Sequence, residues 1–234
     1  NSIGAEGTCA LAEALRSNSS LRRLYINGGG IKAQGARALA DLYMSDNDLG
    51  DEGVCALSEA FTRNHSMRLL ELGFNRVTAV GVEAFAKSLW GYPTLRHLRL
   101  DNNQIGDRGA QLVAAVLPTL SLEMLGLGFN QISAGGVGPL MQAILSCSSL
   151  TSMGLGGNIL DNDAAKSIAV ALAQPRCPLL ELSLDHASLG RAGEGHISTG
   201  LLSNRSLTLR TLTGFHLGYA FRALGMPKQV SIWS

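Results

Sequence analysis

Residues 70–77 of the chain read LELGFNRV, and residues 125–132 read LGLGFNQI. The same L-x-L-x-x-N-x-L frame recurs in LYMSDNDL (42–49), LRLDNNQI (98–105) and MGLGGNIL (153–160), and more loosely in LYINGGGI (24–31) and LSLDHASL (182–189). From Leu42 onward the frames open at 42, 70, 98, 125, 153 and 182, so the period is 27 to 29 residues. Behind each frame lies a second pattern, as in LGDEGVCALSEAF (49–61), VTAVGVEAFAKSL (77–89) and IGDRGAQLVAAVL (105–117). Self-similarity at this period is the mark of a stacked repeat array.

The two halves of each repeat have different periods. L-x-L alternates, so Leu70 and Leu72 face one way and Glu71 and Gly73 the other, as in a strand. After Ile105 the small and apolar positions Gly109, Val113 and Leu117 fall four apart, on one helix face. A lone strand-plus-helix unit cannot bury its apolar side, so units must stack. Stacked strands need about 4.8 Å each and stacked helices about 10 Å. The mismatch bends the array, with strands inside and helices outside. Strands are expected near 24–26, 42–44, 70–72, 98–100, 125–127 and 153–155, and helices near 5–16, 51–63, 79–90, 107–117, 134–146 and 162–173. Leu57, Phe85, Val113, Leu140 and Ile168 share one position in successive repeats and should be buried.

The motif resembles the leucine-rich repeats of the ribonuclease-inhibitor type, which occur also in NOD-like receptors and in Ran GTPase-activating proteins. The likeness covers roughly residues 1–205. It implies an α/β fold, a curved horseshoe solenoid with parallel strands on the concave face and helices on the convex face. It also implies that Asn47, Asn75, Asn103, Asn130 and Asn158 form a ladder satisfying backbone groups at the turns. A buried amide needs such partners. A glycine column (Gly7, Gly35, Gly53, Gly81, Gly109, Gly136, Gly193, with Ala164 once) calls for close packing at the helix start or a strained turn.

Two places break the pattern. Leu24 to Leu42 spans too few residues for a full repeat, so the unit near 32–42 is short or interrupted. An array tolerates a lost helix poorly, and the expectation is a chain break between 38 and 42. Residues 1–206 are thus assigned to the repeats and 207–234 to an atypical last repeat and cap, with a short helix at Tyr219–Leu224 and a strand at Val230–Trp233. The opening Asn1-Ser2-Ile3 continues a turn already under way, so further repeats or a domain are expected before it.

Composition narrows the function. Nineteen basic residues face eighteen acidic ones, a formal net charge of +1, which makes no case for nucleic acid or an anionic membrane. Hydrophobic residues are 46% and charged residues 16%, so the chain is not disordered. No apolar run is long enough to span a membrane. There is no HExxH, P-loop or GxSxG motif. Gly154, Gly156 and Gly157 have no lysine after them, and the five histidines form no ligand set. No catalytic group, cofactor or metal is expected. The four cysteines make no CxxC pair. Cys9 and Cys55 share a polar column, two repeats apart if the interrupted unit carries its helix, too far for a disulfide. Free thiols suit a reducing compartment, and the resemblance implies the cytoplasm. The sequons at Asn18, Asn64 and Asn204 coincide with the helix-to-strand turn, where Asn and Ser are simply good turn residues.

The resemblance leaves several functions in view. The first is a non-catalytic protein-recognition module, as in the sensing or autoinhibitory region of a NOD-like receptor in innate-immune signalling, or in a structural scaffold. The second is a GTPase-activating protein of the Ran type, which would need an acidic tail and a functional arginine. No such tail is present, and Arg99 is paired in column with Glu71. Ribonuclease inhibitors are cysteine-rich and acidic, unlike this chain. The expected partner is another protein on the concave face. The residues expected to meet it are Tyr25, Tyr43, Phe74, Arg99, Phe129, Gly156 and His186. Phe74 and Phe129 share one column as candidate anchors, and the glycines around Gly156 leave backbone bare for close approach.

Overall fold

A computed structural model describes residues 4–17, 23–26, 41–62, 64–187, 189–204, 209–214 and 231–233. Among them nine short strands form one sheet in chain order: β1 (Arg23–Tyr25), β2 (Asp41–Tyr43), β3 (Leu69–Glu71), β4 (His97–Arg99), β5 (Met124–Gly126), β6 (Ser152–Gly154), β7 (Glu181–Ser183), β8 (Thr211–Thr213) and β9 (Ser231–Trp233). Every pairing is parallel and in register on the repeat leucine, Leu42 opposite Leu70 opposite Leu98 opposite Leu125. The helices are α1 (Gly4–Ser17), α2 (Gly50–Phe61), α3 (Ala79–Leu89), α4 (Gly106–Val116), α5 (Ala134–Ile144), α6 (Asn162–Leu172) and α7 (Gly190–Ser203). From β2 to β8 strand and helix alternate as the two periods require. The strand expected at Val230–Trp233 is β9, beside β8. The helix expected at Tyr219–Leu224 lies outside the described residues.

The core is the space between the layers. Leu57, Phe85, Val113, Leu140 and Ile168 are all at most 3% exposed. The Asn column is buried and hydrogen-bonded. Backbone N–H groups of Asn47, Asn75 and Asn130 donate to the amide oxygens of Asn75, Asn103 and Asn158 at 3.0, 3.0 and 2.9 Å. Each side-chain NH₂ donates to carbonyls of the preceding repeat, for example Asn75 Nδ2 to Met44 O at 2.8 Å. The expected ladder is present. It has a missing rung: the buried Asn130 Oδ1 accepts no hydrogen bond among the described residues.

The glycine column is explained by space, not by backbone conformation. A Cβ on Gly136 would lie 2.7 Å from Ile132 Cγ2 and 2.8 Å from Ala110 Cβ. Successive helices meet at their starts, and only glycine or a small residue fits. Helix starts are also tied across repeats. The Asp51 carboxylate accepts from Thr78 N–H (2.7 Å), Gly81 N–H (3.0 Å) and the Thr78 hydroxyl (2.6 Å). Asp107 repeats this at Ser133, from both N–H and hydroxyl at 2.6 Å. Each carboxylate on one helix thus caps the next. Pro139 inside α5 frees the carbonyl of Gly135, and Gln111 Nε2 from α4 donates to it at 3.1 Å.

The short N-terminal repeat is accommodated in an unexpected way. Residues 27–40 lie outside the described region, so the expected chain break does too. Their flanks are described: β1 pairs directly with β2, and α1 packs directly on α2, with Gly4 N–H donating to Asn47 O at 3.0 Å. The helix preceding β1 fills the place next to α2, so α2 keeps a packing partner. This corrects the spacing of Cys9 and Cys55, which stand on adjacent helices. Both are free and half-buried.

Candidate protein-binding face

The exposed face of the sheet is set by two columns. Strand residues flanking the buried leucine point to it, and beyond them the chain turns. At the turn, Asp46, Phe74, Asn102, Phe129, Gly157 and His186 all take the left-handed conformation, with φ between +54 and +67°. Such φ values are uncommon for bulky residues. The turn aims these side chains outward. Phe74 is 57% exposed, Phe129 48% and Tyr25 55%.

Neighbouring columns then pair. Tyr25 and Tyr43 stack with centroids 4.4 Å apart and planes within 9°. The Phe129 ring sits beside His186, centroids 5.7 Å apart. It also covers Gly157, where a Cβ would fall 2.5 Å from Phe129 Cε1. Arg99 reaches Glu71 at 3.8 Å and Asp101 at 3.5 Å, the cross-strand pairing expected from the column. Asp185 accepts from the hydroxyls of Ser183 (2.7 Å) and Thr213 (2.6 Å), not from His186.

Six of the seven expected contact residues, Tyr25, Tyr43, Phe74, Arg99, Phe129 and His186, lie exposed or half-exposed along this one face. Gly156 is the correction. It is buried, and a Cβ there would lie 3.0 Å from Asp185 N and 3.2 Å from its carbonyl carbon. The backbone of the turn after β7 covers it. The bare backbone lies two residues earlier. At Gly154 the nearest atom to a Cβ is the Gly126 Cα, 3.9 Å away.

Gly126 and Gly154 lie side by side in β5 and β6 and floor a hollow of about 300 Å³. Arg99 and Asp101 form one wall, and Glu181, Ser183 and Thr213 the other. Asp101 leans over Gly126 and accepts from Gly128 N–H at 2.9 Å. The sequence reading omitted Glu181 and its column, the residue just before each repeat leucine. The signal was available, since period-two alternation puts residues on both sides of that leucine on one face.

Two of the thiols, Cys147 and Cys177, and two of the sequons, at Asn64 and Asn204, belong to the framework, while Asn18 lies outside the described residues. Burial pushes Cys147 up to about 11 and raises Cys177 as well. Asn64 accepts from Ser66 N–H and Oγ, while Asn204 Nδ2 donates to Leu172 O. Both asparagines are buried, as turn residues rather than glycan acceptors. No helix among the described residues is long and apolar enough to cross a membrane.

The family model and the sequence relatives agree with this architecture. A family model described as "Leucine Rich repeat" matches residues 17–40, 41–58, 63–86 and 93–114. NACHT, LRR and PYD domains-containing protein 14 of Mus musculus is 34% identical over 116 residues, 49% of this chain and 12% of that protein. Its Homo sapiens namesake is 30% identical over 153 residues, 62% of this chain and 14% of that one. The ribonuclease inhibitor of Sus scrofa is 33% identical over 127 residues, 53% and 28% of the two chains. The aligned stretches thus span less than a third of each of these relatives. A solved structure of Leiomodin-1 Actin-Binding Site 2 aligns over 81% of this chain and 87% of that one, with a TM-score of 0.42 and 16% identity.

Proposed function

We propose that this leucine-rich repeat chain is a non-catalytic protein-recognition module that holds a protein partner on its concave face. In this reading it serves as the sensing or autoinhibitory region of a cytoplasmic receptor similar to its NACHT-containing relatives. One observation carries the proposal. Phe74 and Phe129 stand 57% and 48% exposed on left-handed turns. Left-handed backbone at a bulky residue costs about 1 kcal/mol or more, and such strain clusters at functional sites. Exposed aromatics on a rigid scaffold suit the role of interface anchors.

The test is capture of the physiological partner by folded variants. Phe74→Ala and Phe129→Ala should each weaken binding at least tenfold, the order of an anchor residue. Gly154→Arg, which has room for its side chain, should block it. If all three bind like the parent, the partner sits elsewhere. Stimulated GTP hydrolysis by a small GTPase, lost on Arg99→Ala, would overturn the non-catalytic reading.

A further inference from the structure

The hollow floored by Gly126 and Gly154 is lopsided in charge. Arg99 is its one lining cation among the described residues, already engaged by Glu71 and Asp101. On the opposite wall Glu181 is exposed, with no cationic partner among the described residues. Asp185 adjoins that wall. Its Oδ2 is held by the hydroxyls of Ser183 and Thr213, which both line the hollow. These hydroxyls orient the carboxylate without neutralising it. Asp101 is held in turn by the Gly128 N–H. Two carboxylates, Asp101 and Glu181, therefore line the hollow against one guanidinium that is itself paired with Glu71 and Asp101, and Asp185 stands just behind the far wall.

We infer that this hollow receives one basic side chain, arginine or lysine, from a protein partner. The inference rests on the concave-face reading and names the chemistry of the partner. The volume, about 300 Å³, admits one long side chain. The missing Cβ of Gly154 lets its apolar stem lie against the sheet while its head reaches Glu181, with Asp185 just beyond. An acidic guest would meet uncompensated carboxylates instead. An aromatic guest would leave the rim charges without an ion-pair partner.

The probes are two end-blocked tripeptides, Gly-Arg-Gly and Gly-Glu-Gly, titrated into the 234-residue chain. The readout is the amide chemical shifts of Gly126 and Gly154. Gly-Arg-Gly should move both amides saturably, with a response that shrinks as salt is added. Glu181→Gln and Asp185→Asn should each weaken it by about 3- to 10-fold, the order of one partly exposed charge pair. Gly154→Leu, which fills the hollow, should abolish it. Equal responses to both peptides, no saturable response, or a Gly154→Leu chain that still binds would overturn the inference. If that variant loses its dispersed spectrum, the Glu181→Gln/Asp185→Asn double variant decides instead, and unchanged binding there overturns the proposal. A physiological partner lost on Phe74→Ala and Phe129→Ala but kept on Gly154→Leu would leave the concave face standing and remove the hollow alone.

Discussion

Tyr92 shows how a single buried group makes the array sensitive to pH. Its hydroxyl donates to the Asn64 carbonyl and accepts from Met67 N–H, inside the turn that joins α2 to β3. Burial pushes its pKa up to about 12, only partly offset by the Met67 N–H. In the unfolded chain the phenol titrates near 10. The folded state therefore holds the proton more tightly, and its stabilisation is complete below pH 10 and lost as pH rises towards 12. Cys147, at about 11 against an ordinary value near 9, adds a loss beginning one unit lower. Stability measured by urea titration should fall between about pH 9 and 12, and Tyr92→Phe should flatten the upper part of that fall. Two glycines make a sharper contrast. Gly136→Ala should destabilise by about 1–3 kcal/mol, because its Cβ meets Ile132 and Ala110. Gly154→Ala should be neutral or stabilise by up to about 1 kcal/mol, since its Cβ makes only an ordinary contact with the Gly126 Cα at 3.9 Å and alanine orders more cheaply in a strand. Equal melting shifts for the two would contradict the packing described.

At the scale of elements, each helix start depends on its predecessor. Asp107→Ala removes a carboxylate from the Ser133 N–H and hydroxyl at the head of α5. The expected cost is about 1–2 kcal/mol, visible as a lower melting temperature, whereas Asp107→Asn should retain part of the cap. The strands and helices themselves were legible in the sequence because L-x-L and the four-residue spacing are local signals. Phe74 and Phe129 were legible as surface residues for the same reason. The link from Asp107 to Ser133 was not, because it joins residues one repeat apart, and only stacking brings them together. Gly156 failed for a related reason. Its column is exposed in an isolated strand, but the Asp185 backbone of the next repeat closes over it. Glu181 was a missed local signal, since the alternation that exposes Ser183 exposes it equally.

For the whole molecule, the Asn ladder sets how repeats hold together. Asn75→Ala would remove the amide oxygen that accepts from the Asn47 N–H and the NH₂ that donates to the Met44 carbonyl. Buried polar groups left unpaired cost about 1–3 kcal/mol each, so a loss of about 2–4 kcal/mol is expected from denaturant titration, spread over two neighbouring repeats. A smaller loss, under about 1 kcal/mol, would mean that water enters the turn and replaces the amide.

The order of the sheet carries a consequence for synthesis. Every strand pairs only with its neighbours in sequence, β1 with β2 through β8 with β9. No strand waits for a distant segment of the chain. At a translation rate of about 5–20 residues per second, one repeat leaves the ribosome every few seconds, long compared with local docking of a helix and strand. The growing chain can lay each repeat on the finished edge as it emerges, so the order of translation is also the order of assembly. Ribosome-stalled chains of increasing length should gain protease-resistant mass in steps of one repeat. A single jump at full length would mean that the array assembles only as a whole.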